Sequence, residues 1–211
     1  MQPPAHLYAD ERREWPALPP PTGHAEARVL LCERAGGEPL MFGDRGSDFG
    51  PRIEGPLAAW RAAHPGALVA NVGDRRDLVD ADFAYLAGIK ALWMTNCTNP
   101  ALTSAAFAHL RGVHTLWMSG CAQASLGDAA FAHLRGVHTL DMWGCSQATL
   151  TDGAFVHLRG VHTLLMSYCD QPSITGATLS HLRGVRTLHM YGCAPAVIAA
   201  ARALRLPGRT G

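Results

Sequence analysis

The sequence of 211 residues predicts one α/β solenoid, and three observations support this fold class. Five of the six cysteines are spaced 24 residues apart, a leucine and a methionine recur at the same step, and each unit changes from a strand-like to a helical pattern. A strand and a short helix that alternate in this way cannot each bury a face alone, so successive coils must stack. We expect a short horseshoe with one parallel sheet on its concave side and short helices on its convex side. The repeated columns are Cys97, Cys121, Cys145, Cys169 and Cys193; Leu92, Leu116, Leu140, Leu164 and Leu188; Met94, Met118, Met142, Met166 and Met190; and Phe83, Phe107, Phe131, Phe155 and Leu179.

Residues 1–56 do not share the period and are predicted to form an N-terminal extended or cap region with a proline-rich segment. Within it, residues 14–21 contain three successive prolines, which exclude a helix and favour an extended chain. The apolar runs 28–32 and 40–42 are compatible with a hairpin that covers the open edge of the first coil. Residues 43–55 are expected to form a loop.

Residues 57–211 form the predicted solenoid domain, with about six coils of the 24-residue period. One period before the first regular leucine lies Leu68, and residues 68–73 indicate a degenerate first strand that lacks the cysteine. Residues 57–63 are the helix candidate before it, and residues 198–206 keep the helical half of a last unit. Terminal coils of such arrays are atypical because they close the core.

One unit in the middle of the array shows how strand and helix alternate. Leu140 and Met142 are separated by one residue, in the period-two pattern of a short strand. Phe155 and Leu158 follow Leu150 at offsets of five and eight, as on one side of a helical turn. The expected helix cap is Thr151 or Asp152, and the expected helix end is Gly160.

The spacing of these residues matches a known repeat family. The matching residues of one unit are Leu134, Val137, Leu140, Met142, Cys145, Leu150, Thr151 and Asp152. This pattern resembles the leucine-rich repeat of the cysteine-containing type, and the resemblance covers roughly residues 78–208. In that family such repeats often form the substrate-recognition half of F-box ubiquitin-ligase receptors, so the resemblance implies protein recognition and a place in the ubiquitin pathway. Residues 1–56 show no F-box pattern, so a free-standing binder and an adaptor with a divergent N-terminus both stay open.

The positions beside the core residues of each strand predict the binding surface. Side chains of a sheet alternate between its two faces, so leucine and methionine point inward and their neighbours point outward. The outward positions vary from coil to coil and include large aromatic groups, which are common at interface hot spots, and one carboxylate suited to a partner's cation. We expect a protein or peptide to bind there, with stacking of the rings for sheet stability as the alternative explanation. The candidate partner-binding residues are Trp93, Trp117, Asp141, Trp143, Leu165, Tyr168, His189 and Tyr191.

Composition and charge limit the class of protein. No apolar run approaches the roughly 18 residues that cross a bilayer, and the first residues lack the pattern of a secretory signal. We therefore expect a soluble, intracellular protein in the cytoplasm, with the nucleus as the alternative. The net charge of +1 does not favour a nucleic-acid protein held by bulk electrostatics. The sequence identifies neither the partner nor the oligomeric state.

No arrangement of catalytic residues stands out, so we expect a protein that is not an enzyme and has no cofactor. The cysteine column is a line along stacked strands, whereas zinc requires a tetrahedron, so we expect buried free thiols and no metal. Two histidine columns predict a loss of stability when they gain protons below about pH 6. With an arginine stripe on the helical wall, they support the alternative function, which is binding of a nucleic acid or an acidic partner. These residues are His109, His133, His157 and His181; His114, His138 and His162; and Arg111, Arg135, Arg159 and Arg183.

Overall fold

The computed structural model of the chain describes residues 52–208. The proline-rich segment, the hairpin and most of the loop predicted for the N-terminal region lie outside these residues. The described part is an α/β fold with one parallel sheet and a set of short helices. None of its helices is long and apolar enough to cross a membrane.

The single sheet contains six parallel strands that follow one another in chain order. The strands are Val69–Asn71 (β1), Ala91–Trp93 (β2), Thr115–Trp117 (β3), Thr139–Asp141 (β4), Thr163–Leu165 (β5) and Thr187–His189 (β6). From β2 onward each strand pairs with the next at the predicted 24-residue step, as Leu116 does with Leu140. The repeat therefore sets the register of the sheet.

The predicted register of the first strand was wrong. We expected Leu68 at the core position, one period before Leu92, but the structure pairs Ala70 with Leu92. Ala70 is buried, and Leu68 is half-buried in the turn before β1. The carbonyl of Leu68 accepts the N–H groups of Lys90 and Ala91, at 2.7 and 3.0 Å. The first coil is thus shorter than the others and has a smaller core residue, which is typical of a terminal coil.

Short helices connect the strands. The helices are Leu57–Ala63 (α1), Asp128–Phe131 (α2) and Pro195–Ala203 (α3), together with the 3₁₀ helices Asp80–Leu86, Ser104–Leu110, Asp152–His157 and Leu179–Leu182. A 3₁₀ helix rises about 2.0 Å per residue against 1.5 Å for an α-helix, so it crosses a coil with fewer residues. The predicted cap is confirmed, because the hydroxyl of Thr151 accepts the N–H of Gly153 at 3.0 Å. This helix ends before Gly160, which instead supplies the positive φ of the following turn.

The hydrophobic core lies between the sheet and the helices, and the repeated columns fill it. All four predicted columns are buried, which confirms the inward positions. Phe83 and Phe107, for example, stack with ring centroids 6.4 Å apart. The thiols of the cysteine column donate to carbonyl groups of the preceding coil, as Cys145 does to Met118 at 3.3 Å. Burial raises the pKa of these thiols, to about 12 for Cys97, so they are neutral, free thiols that hold the coils together.

A polar column, which was not predicted from the sequence, also joins neighbouring coils. Its side-chain amides donate to carbonyl groups of the preceding coil, such as Gln123 to Cys97 at 2.9 Å and Gln147 to Leu126 at 2.8 Å. The stretch after each cysteine looked variable, although the 24-residue spacing of the amides was a signal. The column consists of Asn99, Gln123, Gln147 and Gln171.

The two ends of the described solenoid are closed by different contacts. At the first coil, the N–H of Ile53 donates to the carbonyl of Asn71 at 2.8 Å, so this segment lies along the outer edge of β1. The Arg61 guanidinium joins α1 to the next coil by donating to the carbonyl of Tyr85 at 2.6 Å. At the last coil, α3 buries Val197 in the core. The helical half of a last unit is thereby confirmed, although it begins three residues earlier than predicted.

Candidate functional site

The strand face is the side of the sheet that does not face the hydrophobic core. We define it as the first and last residue of each strand together with the residue two positions after the strand. Seven of the eight predicted binding residues belong to it, and Tyr168 lies beside it. The last residues of β2 to β6 are neighbours in register, in the order Trp93, Trp117, Asp141, Leu165 and His189. The columns inferred from the period are therefore columns in the structure.

The predicted exposure was wrong for three of the eight candidate binding residues. Trp117 is 5% exposed, Asp141 is 2% exposed and Leu165 is 3% exposed. Trp93 and His189 are half-buried. Alternation along a strand determines which face a side chain occupies, but the exposed area also depends on the side chains of the adjacent strands.

Packing within the face accounts for part of this burial. The indole rings of Trp93 and Trp117 stack with centroids 4.7 Å apart and an interplanar angle of 26°. Trp117 also packs with Val69 and Ala91 in a small apolar cluster that is separate from the main core. The alternative explanation from the sequence, that rings stack to stabilise the sheet, therefore describes Trp93 and Trp117.

Asp141 is a buried carboxyl group with hydrogen-bond donors of its own. One carboxylate oxygen accepts the backbone N–H of Trp143 at 2.9 Å, and the Ser119 side chain is a second hydrogen-bond partner. Burial is the main cause that raises the pKa of Asp141, to about 6, and the two hydrogen bonds oppose the shift. The ion pairs found between residues 52 and 208 are those of Arg52 and Arg75, and neither involves this carboxyl group. Asp141 therefore holds the turn after β4, and the predicted pairing with a partner's cation stays a prediction.

Three aromatic rings at the carboxyl ends of β4 to β6 form the exposed part of the site, and we call them the aromatic row. The ring of Tyr168 makes edge-to-face contacts with Trp143 at 5.4 Å and with Tyr191 at 5.3 Å between centroids. Tyr168 is 36% exposed and Tyr191 is 43% exposed, while Trp143 is half-buried. The row thus offers large ring surfaces to a ligand.

Backbone contacts hold the aromatic row in place. Tyr168 has a positive φ of 59°, and its N–H donates to the carbonyl of Tyr191 at 2.7 Å. The N–H of Tyr191 donates in turn to the hydroxyl of Ser167 at 3.1 Å. Gly192 lies so close to the Tyr168 ring that a Cβ there would approach it to 2.7 Å. The rings are therefore fixed by the turns that follow β5 and β6.

One histidine column is half-buried. The imidazole rings of His114, His138 and His162 stack with centroids 4.6 and 4.4 Å apart. Desolvation by burial, together with the neighbouring imidazoles and Arg186, lowers the pKa of His138 to about 4. Stacked rings present their ring nitrogens side by side, so they do not converge on one metal ion. In the part of the chain that the structure describes, no group of three or more His, Cys, Asp or Glu side chains is placed to hold a metal.

The arginine stripe lies in the turns before the strands, and its predicted place on the helical wall is corrected. Arg111 and Arg183 directly follow the last residue of a 3₁₀ helix and adopt an extended backbone conformation. Arg135 and Arg159 occupy the same position of their coils. All four are exposed at the amino ends of the strands, on the opposite edge of the sheet from the aromatic row.

Comparisons with known proteins give no family assignment. No family model matches the chain, and no curated protein matches it.

Proposed function

We propose that this protein is a non-catalytic recognition module that binds a protein or peptide through its strand face, with the aromatic row as the main contact. The observation that carries the proposal is the exposure of Tyr191 on the strand face and of Tyr168 beside it, whereas Trp117 and Leu165 of the same face are buried. Tyrosine offers a large rigid ring at a low cost in side-chain entropy, and such rings dominate many binding hot spots. Trp143 contacts the first of these rings and supports it.

The regularity of the coils supports a binding role over a purely structural one. The core columns repeat the same residue types, whereas the residues two positions after the strands change from coil to coil. These positions are Thr95, Ser119, Trp143, Ser167 and Tyr191. Variation on a uniform frame is the arrangement by which repeat proteins present a specific surface.

The family that we propose is the leucine-rich repeat of the cysteine-containing type. Support comes from the 24-residue unit, the single parallel sheet and the buried thiol after each of five strands. A horseshoe with the strand face on its concave side belongs to this proposal, as does an intracellular location. The resemblance extends the proposal to a substrate-recognition role in a ubiquitin-ligase assembly.

The size of the face indicates the kind of ligand. Strands lie about 4.8 Å apart, so six strands span roughly 25 Å, and three columns cover about 10 to 15 Å across them. The resulting area is a few hundred Å², below the roughly 800 Å² per partner of a standard protein complex. A peptide or a protruding loop of a partner therefore fits this face better than a broad, flat protein surface.

A peptide selection tests the proposal. Peptides selected from a random library on the immobilised full chain are titrated by calorimetry against wild type and against a double variant, Tyr168→Ala with Tyr191→Ala. We expect the double variant to bind the peptides at least tenfold more weakly, because hot-spot residues contribute about 2 kcal/mol or more each. Tyr85→Ala is the matched control, since Tyr85 is 41% exposed on a 3₁₀ helix away from the strand face.

The outcome depends on both variants. Unchanged peptide affinity in the double variant, with an unchanged melting temperature, would rule out the aromatic row as the binding centre. An equal loss in Tyr85→Ala would show that the peptides bind elsewhere. Failure to select any peptide after repeated rounds would also count against a peptide-binding face.

A further inference from the structure

A basic edge runs along the amino ends of strands β2 to β6. The five turns that enter these strands are residues 86–90, 110–114, 134–138, 158–162 and 182–186. Together they contain six cations and no carboxylate, although the whole chain has a net charge of +1. The cations are Lys90, Arg111, Arg135, Arg159, Arg183 and Arg186.

The turns repeat the same backbone, so the cations form an ordered row. The residue before each strand is bonded to the same residue of the preceding coil, as in the N–H of His138 to the carbonyl of His114 at 2.9 Å. The last such bond joins the N–H of Arg186 to the carbonyl of His162 at 2.8 Å. Each turn has a glycine with φ between 80° and 95°, a conformation that side chains with a Cβ rarely adopt. The arginines at the second position of four successive turns therefore follow one another at steps of about 5 Å, and these are Arg111, Arg135, Arg159 and Arg183. Lys90 and Arg186 lie at a second position, directly before β2 and β6.

These cations are not neutralised by carboxylates within residues 52–208. The ion pairs of that part of the chain join Arg52 to Glu54 and Arg75 to Asp77, both at the first coil. Lys90 donates to a backbone carbonyl, and Arg159 donates to the ring of His181. The five arginines of the row are exposed.

Stability alone does not account for such a row. A cation at the C-terminal end of a short helix interacts favourably with the helix dipole, which explains the arginine of each coil taken by itself. Like charges at the same position of adjacent coils repel one another, however, so stacking these arginines in one row does not itself add stability. A row of one sign is favourable when an anionic partner occupies it.

The surroundings of the row distinguish between anionic partners. A stable protein interface has an apolar centre. The apolar side chains of the five turns, such as Leu110 and Val113, are instead buried in the core. The large hydrophobic residues exposed in the described range are Tyr85, Tyr168 and Tyr191, and none lies within these turns. An edge that offers cations without an apolar centre suits a polyanion that is held by its charges.

We propose that the basic edge binds the phosphate backbone of a nucleic-acid strand, independently of its base sequence. Guanidinium groups form bidentate hydrogen bonds with phosphate oxygens. Such contacts position a nucleic-acid strand without reading its bases. This site is separate from the aromatic row, which lies at the other ends of the strands. The proposed peptide recognition is not needed for it.

Salt-dependent binding tests this proposal. The full chain is titrated into a fluorescent 20-nucleotide single strand of thymidines, and anisotropy is measured between 50 and 300 mM salt. If all six cations contact phosphates, the slope of log K against log salt is about −4, since each contact to a single strand contributes about −0.7. The triple variant Arg111→Gln, Arg135→Gln and Arg159→Gln should reduce the slope to about −2 and weaken binding at 50 mM salt at least tenfold.

Matched controls distinguish the site from general charge. The triple variant Arg52→Gln, Arg76→Gln and Arg205→Gln removes the same charge from exposed residues outside the basic edge, and it should change the affinity less than twofold. Circular dichroism establishes that both triple variants are folded. Equal weakening in both, or no binding by wild type at 50 mM salt, overturns the proposal. Competition by poly-glutamate as strong as by unlabelled oligonucleotide also overturns it, because an acidic protein would then suit the edge equally well.

Discussion

Replacing Asp141 by asparagine tests whether the strand face contains a buried, easily protonated carboxyl group. The pKa of Asp141 is about 6, raised by burial from an ordinary value of 3.8. Between these two values the folded protein holds a proton that the unfolded chain has released. Lowering the pH through this window therefore stabilises the wild-type fold through Asp141, and raising the pH above 6 removes that contribution.

The two pKa values give the size of the effect. Integrating proton binding from pH 7.5 to pH 4.5 gives about 2 kcal/mol in the free energy of unfolding from this group alone. Asparagine has nearly the same shape, does not ionise and retains an oxygen that can accept the N–H of Trp143. We expect Asp141→Asn to be more stable than wild type at pH 7.5, and this advantage to shrink by about 2 kcal/mol at pH 4.5.

Urea unfolding at both pH values measures this difference. The comparison of variant with wild type cancels the titration of the other carboxylates, which both proteins share. Asp170→Asn is the control, because Asp170 is an exposed carboxylate close to the same edge of the sheet. If the Asp141→Asn advantage is the same at both pH values, the carboxyl group does not titrate with a raised pKa, and the burial argument fails.

Three further substitutions test contacts of the histidine column, the amide column and the strand face. Because the pKa of His138 is lowered from 6.5 to about 4, the unfolded chain gains a proton before the folded protein does as the pH falls, and acid destabilises the fold in this range. His138→Gln should therefore make the melting temperature less sensitive to acid. Equal acid sensitivity of variant and wild type would contradict this. Gln123→Ala should cost about 1 to 3 kcal/mol in urea unfolding, because the buried carbonyl of Cys97 loses its amide donor. Trp117→Ala should cost about 3 to 5 kcal/mol, whereas a loss below 1 kcal/mol would show that Trp117 is not packed as described.

The sequence predicted the middle of the fold well because one physical constraint repeats there. Leu116, Met118 and Cys121 must occupy the same place as their counterparts one coil later, so a period of 24 determines both the inward positions and the strand register. The first coil lacked that constraint. Ala70 and Leu68 are both apolar and were both candidates for the core position of β1. The structure pairs Ala70 with Leu92, while the carbonyl of Leu68 accepts the N–H groups of Lys90 and Ala91 before the strand begins.

Exposure on the candidate site was harder to predict for a different reason. Alternation correctly placed Trp117 and Tyr191 on one face, but a three-residue strand gives no information about what lies beside each side chain. Trp117 stacks on its neighbour and is buried, whereas Tyr191 lies in the last coil of the sheet and stays exposed. The amide column was overlooked because polar residues in a connecting stretch resemble a solvated loop.

The two proposed sites are separable because the coil places them at opposite ends of each strand. A three-residue strand is about 10 Å long, so the side chains at its two ends are separated by about that distance. Substitutions more than about 7 to 10 Å apart that share no partner usually have additive effects on stability. Charge removal at Arg135 should therefore leave peptide binding at Tyr168 unchanged. Removal of the Tyr168 ring should leave the salt dependence of oligonucleotide binding unchanged. A peptide that competes with the oligonucleotide would contradict this separation and would indicate one continuous binding surface across the sheet.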